Sequence, residues 1–92
     1  MIKTLMYHKV EDFTKWKEAF DKFYDFRKSS GEISFSVGTL FNESKTAYVI
    51  NEWNSIKDFN AFVNSSKLSD AMKNAGVLEP PHSIILEELG KG

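Results

Sequence analysis

His8–Phe26, HKVEDFTKWKEAFDKFYDF, is the stretch that decides the fold. Phe13, Trp16, Phe20 and Phe23 recur at spacings of three, four and three, with Ala19 and Phe26 beside them. That is one face of a helix with 3.6 residues per turn. The opposite face, from Thr14 and Lys15 to Asp25, is polar and mixed in charge. Asp12 stands where a carboxylate can accept from the free N–H groups of the first turn, a cap worth about 1 kcal/mol. The pattern predicts a helix from there to about Lys28. Ser29-Ser30-Gly31 ends it, with Gly31 suited to the left-handed position after a helix. A helix this aromatic needs a broad apolar surface to lie on.

The flanking segments supply that surface. Residues 2–10 (IKTLMYHKV) read as a strand with Ile2, Met6 and Val10 on one parity and Leu5 and Tyr7 on the other. Ile33, Phe35, Val37 and Phe41 alternate with Ser34, Ser36, Gly38 and Leu40, which predicts a second strand over 33–41. Residues 42–45 form a short polar link, so a third strand over 46–53 (TAYVINEW) pairs with the second as a hairpin. Asn54 or Ser55 starts the next helix, where Ser55 and Asp58 resemble a capping box. Ile56, Phe59, Phe62 and Val63 are its expected buried stripe. Asn64-Ser65-Ser66 interrupts it, and a further helical piece turns Leu68, Met72 and Ala75 inward until Gly76. Pro80-Pro81 forbids more helix. A fourth strand is expected over 82–89 (HSIILEEL), followed by a loose tail at 90–92.

The order is β-α-β-β-α-β, and a faint repeat agrees. Val10 to Trp16 has the layout of Trp53 to Phe59: a last strand residue, a cap, then two inward helical residues. The expected fold is α+β and ferredoxin-like, with a four-stranded antiparallel sheet in the order 4-1-3-2 and both helices on one face. One domain over residues 1–92 accounts for the whole chain. Within that sheet the first and third strands are expected to run parallel as neighbours. His8, Glu52-Trp53 and His82 would then meet at one end.

Composition narrows the function. Of 92 residues 41% are apolar and 14% aromatic, enough for a packed core. The 12 basic and 13 acidic residues are interspersed and leave a formal charge of −1, so nucleic-acid binding has no electrostatic basis. With no cysteine, disulfides, thiolate catalysis and sulfur-ligated metals are excluded. No apolar run is long enough for a signal peptide or a membrane span, and a cytoplasmic protein without membrane contact is expected. Gly31, Gly38 and Gly76 stand apart and make no phosphate loop. The serines have no nucleophile elbow.

Helices on one side leave the other sheet face uncovered. Yet Leu5 with Met6, Val49 with Ile50, and Ile85 with Leu86 put apolar side chains on both parities. A wet second face would forgo about 1.5–3 kcal/mol per large side chain. A second copy laid face to face covers it, so a homodimer is expected.

His8-x-Val10-x-Asp12-Phe13-x-x-Trp16 resembles a family of small proteins in the dimeric α+β barrel superfamily, beside the antibiotic biosynthesis monooxygenase-like domains. So do Glu52-Trp53, Phe62, Ser65-Ser66, Leu68, Ala71-Met72, Ala75-Gly76-Val77 and Pro80-Pro81. The likeness spans nearly the whole chain. It implies a dimeric barrel that binds a small aromatic or polyketide-like ligand, with cofactor-independent monooxygenase or isomerase chemistry. The alternative is a non-catalytic dimeric domain. The haem-degrading branch of the superfamily has Asn on the first strand, Trp in the second helix and His in the next helical piece. This chain has His8, Phe62 and Met72 there, so the resemblance implies no haem and no other cofactor.

His8 is the candidate catalytic residue. It shares parity with Ile2, Met6 and Val10, and so points between sheet and helices, where related barrels hold their ligand. A histidine there can act as a general base on an acidic phenol or polarise a carbonyl. The alternative is a satisfied core histidine. Trp16, Phe20, Trp53, Phe62 and Met72 are the candidate ligand-binding residues, although plain core has the same helical spacing. His8, Glu52 and His82 at one sheet end would match a two-histidine, one-carboxylate metal site. The plainer alternative has both rings bonded to backbone or water, and no metal is expected.

Overall fold

A computed structural model describes residues 2–92. Its elements are β1 (Ile2–Lys9), α1 (Phe13–Lys22), α2 (Tyr24–Ser29), β2 (Glu32–Leu40), β3 (Glu43–Trp53), α3 (Ile56–Val63), α4 (Ser66–Asn74) and β4 (His82–Glu87). The four strands form one antiparallel sheet in the order β2-β3-β1-β4, the ferredoxin-like arrangement expected of the chain. Among the described residues no helix is long and apolar enough to cross a membrane.

Side-chain alternation sorts the sheet into two faces. Thr4, Met6, His8 and Val10 of β1 and its extension are buried beneath the helices, as are Ala47, Val49, Asn51 and Trp53 of β3. Leu5, Tyr7, Tyr48 and Ile50 take the opposite face. Two apolar clusters fill the covered side: Met6, Trp53, Phe59, Phe62 and Leu68 at one end, and Val10, Trp16, Ala47, Val49 and Ala75 at the other. Two caps stand as the sequence implies: Asp12 Oδ1 accepts from Thr14 N at 2.8 Å and Ser55 Oγ from Asp58 N at 3.1 Å. Ser65, expected only to interrupt the helix, caps α4 by accepting from Lys67 N at 3.1 Å.

Several local expectations need correction. β1 runs antiparallel to β3, with Ile2 opposite Trp53 and His8 opposite Ala47, because a hairpin reverses the chain once more than a parallel pair allows. Glu52-Trp53 therefore lies at the far end of the sheet from His8. The first helix is broken at Phe23, whose N–H is shared between Ala19 O and Phe20 O at 3.2 Å each. The hairpin turns on Phe41-Asn42 rather than on residues 42–45. Asn42 takes a left-handed φ of 62°, and Phe41 is exposed at the tip. Ile33 falls in a register shift between Glu32 and Ser34, which breaks the alternation there, and is exposed. Ile56, expected in the buried stripe, is also exposed and is the first residue of α3. Strand β4 stops at Glu87, two residues short of the expected end, and is exposed on both faces.

Gly31 is held by geometry rather than by sequence signal alone. Its φ is +113°, and a Cβ there would lie 2.5 Å from Asp58 Oδ2 and 2.9 Å from Asp58 Cβ. The backbone N–H of Asp58 is held by the Ser55 cap, so its Cβ cannot easily yield even where its carboxylate can turn. Gly31→Ala should destabilise the fold by about 1–3 kcal/mol in chemical denaturation, from backbone strain plus this contact. A change below about 0.5 kcal/mol, the usual size of a surface substitution, would show that α2, β2 and α3 shift freely around it.

Candidate functional site

The register of β1 delivers His8 to the covered face, where it is 5% exposed. Its ring meets Trp16 edge to face at 5.9 Å between centroids. Neither Nδ1 nor Nε2 has a hydrogen-bond partner among the described residues. No protein group among these thus satisfies the ring, unlike an ordinary core histidine. Burial in apolar surroundings lowers its pKa below the usual 6.5, opposed by the more distant Glu79 and aided by His82. The neutral ring keeps one acceptor and one donor nitrogen.

His8 lines a cavity of about 70 Å³ together with Trp16, Phe20, Phe62, Met72 and Arg27. A drug-sized ligand site holds roughly 300–1,000 Å³. The space is thus small, but the aromatic side chains do not close it. Phe20, Phe23 and Met72 are only partly buried, and a thioether adapts to irregular gaps more readily than a ring. Trp53 does not reach this cavity. It is almost wholly buried against Phe59 and Phe62, and its Nε1 donates to Thr4 Oγ1 at 2.9 Å.

The metal arrangement does not form. His82 sits on the outer sheet face, stacked on Tyr7 at 4.7 Å, and its Nε2 lies 3.1 Å from Glu79 Oε2. His8 points to the opposite face and Glu52 to the opposite end. No group of three His, Cys, Asp or Glu side chains converges among the described residues.

The far end of the cavity carries polar residues that the sequence reading missed. Arg27 and Glu32 are 2% and 4% exposed, and Arg27 Nε donates to both Glu32 oxygens at 3.1 Å. Arg27 Nη1 donates to Phe20 O at the helix break. Asn51 Nδ2 donates to Glu32 Oε2 at 2.6 Å, and Thr4 Oγ1 donates to Asn51 Oδ1 at 3.4 Å. The signal was present. Arg27 continues the Phe13-Phe20-Phe23 stripe, and Thr4 and Asn51 interrupt the inward parity of their strands.

Several solved structures superpose on this chain over nearly its whole length. One of a proposed antibiotic biosynthesis monooxygenase from Bordetella bronchiseptica superposes with a TM-score of 0.79 at 11% identity, covering 96% of each chain. SnoaB, a cofactor-independent oxygenase from Streptomyces nogalater, gives 0.77 at 8% identity, over 98% of this chain and 94% of that one. The chain has the antibiotic biosynthesis monooxygenase-like fold. A protein of unknown function from Nitrosomonas europaea gives 0.75 at 12% identity, over 99% and 91%. At these identities the fold is what is shared. No protein-family model and no curated protein matches the sequence.

The pH dependence of stability follows from His8. Its folded pKa lies below its unfolded value of about 6.5, so the unfolded chain binds the proton first on acidification. The His8 contribution is fully present above pH 6.5 and is lost as pH falls from there to the folded pKa, at up to about 1.4 kcal/mol per pH unit. Urea denaturation between pH 8 and 5 should show the native protein losing stability below 6.5 and His8→Phe losing less. Parallel curves for the two would mean that His8 titrates as it does in the unfolded chain.

Proposed function

We propose that this chain is a small-molecule-binding α+β barrel protein that works as a homodimer, with His8 as the group that meets the ligand. The single observation that carries this reading is the pair of unpartnered ring nitrogens on a buried histidine beside a cavity. Burying a polar group without a partner costs free energy, and a ligand that bonds to it removes the cost. The chemistry that suits the site is proton abstraction from an acidic aromatic compound. His8 takes the phenolic proton on its free nitrogen, and the phenolate remains among Trp16, Phe20 and Phe62. That anion is the electron-rich species on which a cofactor-independent monooxygenase or isomerase would act, and SnoaB is such an oxygenase on this fold. Movement of Met72 and Phe23 would be needed to admit a whole ring.

The dimer rests on the outer sheet face. Leu5, Tyr7 and Ile50 are half-buried there, while Ile84 and Leu86 remain 47% and 43% exposed. Gly38 contributes by its size, since the Tyr48 ring packs where a Cβ would stand, 2.7 Å from Tyr48 Cε2. A two-fold partner laid on this face would cover all of these residues. Ile85, on the other face of β4, would stay outside such an interface. The second reading, a dimeric domain without a ligand, draws on the small volume of the cavity.

Two measurements test the proposal. Sedimentation at micromolar concentration should give twice the 10.5 kDa chain mass, and a folded monomer would remove the dimer. In NMR titrations an acidic phenol should move the His8 ring signals and leave those of His82 in place. If aromatic phenols shift neither ring, His8 has no functional role and the second reading stands.

A further inference from the structure

The same cavity has a third unpartnered polar atom, on Arg27. Arg27 uses Nε on Glu32 and Nη1 on Phe20 O, but Nη2 is buried without a hydrogen-bond partner among the described residues. Aromatic rings flank the guanidinium, with its central carbon 3.5 Å from the Phe20 centroid and 5.0 Å from that of Phe35. Arg27 therefore cannot swing away to find water. Its side chain lines the cavity, and the ring of Phe20 beside it does too.

Charge decides what such an atom can receive. Glu32 already neutralises the guanidinium through both carboxylate oxygens, and Asn51 saturates Glu32 further. A carboxylate ligand would add a net negative charge to a buried pair that is balanced, next to the Glu32 oxygens. An uncharged oxygen acceptor adds none and still takes the free N–H. Among uncharged acceptors a carbonyl oxygen suits a planar donor best, because its lone pairs lie in the plane of the C=O group.

We infer that the Arg27 end of the cavity recognises the carbonyl oxygen of an uncharged ligand through Nη2, and discriminates against carboxylates of the same shape. This deepens the ligand-binding reading and rests on it. Arg27 is then a specificity-determining residue, separate from His8. On β3 the partner of His8, Ala47, is four residues from Asn51, about 13 Å at 3.3 Å per residue, so the two polar ends are distinct.

The probes are acetone, isobutene and acetate, three planar molecules of matched shape, titrated into the millimolar range with isotope-labelled protein. Acetone should move the Arg27 guanidinium signals. Isobutene should move only the apolar wall, read at the Met6 and Met72 methyls. Acetate should bind about tenfold more weakly than acetone, because its charge is added to a buried pair that is already balanced. Arg27→Lys keeps the charge opposite Glu32 but removes Nη2. It should weaken acetone about fivefold, in the range of one lost hydrogen bond, and leave isobutene unchanged. Should the lysine variant fail to fold, the guanidinium signals of the unaltered protein still carry the test. Acetate binding as tightly as acetone would overturn the inference. So would methionine shifts with acetone while Arg27 stays still, although the ligand-binding reading would survive that result. If no probe moves any cavity signal, both fall.

Discussion

Arg27 and Glu32 bring a full positive and a full negative charge into the interior, and much of the local geometry follows from the need to satisfy both. Removing either partner from such a pair typically costs about 3–5 kcal/mol, because the other charge is left buried. All but one of the polar atoms of the pair therefore have partners. The Arg27 guanidinium reaches back to Phe20 O, and the helical hydrogen-bond pattern is interrupted at Phe23 in the same turn. Glu32 sits opposite Trp53 at the start of β2, and the pairing shifts by one residue before Ser34, which displaces Ile33 outward. From Glu32 the bonds continue through Asn51 and Thr4 to the indole of Trp53. One buried pair thus links α2, β2, β3 and β1.

Element order and strand order were legible because they rest on patterns that survive tertiary context. The Phe13-Trp16-Phe20-Phe23 stripe, the Asp12 and Ser55 caps and the Pro80-Pro81 stop act locally, and each appears as read. Strand direction is less legible: β1 and β3 pair antiparallel rather than parallel, which puts Glu52 at the far end of the sheet from His8. The break at Phe23 was not legible from periodicity. Its surroundings are set by a buried ion pair and its tertiary partners, while the residues around it favour helix. Ile33 and Ile56 look like core by composition, yet Ile33 falls in a register shift and Ile56 opens α3, and both are exposed.

For the site, parity alone placed His8 beneath the helices. Trp16, Phe20, Phe62 and Met72 gather around it because helical spacing points them at one region. Trp53 has the right parity but the wrong position along the strand, six ladder positions from His8. What parity could not supply was the absence of a partner for the ring, since that depends on every neighbouring element. The polar end of the cavity was hidden for a different reason. Arg27 and Glu32 lie close together in sequence and read as an ordinary solvated pair. Only the aromatic residues closing over them make the pair interior.

Strand β4 closes the sheet on one side with its outer edge unpaired, and Ile84-Ile85-Leu86 is a run of apolar residues exposed on both faces. An edge of that kind is a template for any extended segment that meets it, including the same strand of another copy in amyloid-like stacking. The sequence guards it at both ends. Pro80-Pro81 offers no N–H for an incoming strand to use, and Glu87-Glu88 sets like charges against like in any in-register stack. Lys3 holds Glu88 at 2.6 Å and keeps that guard beside the edge. The apolar window left open is three residues wide, which is shorter than the six or seven that a self-propagating stack requires.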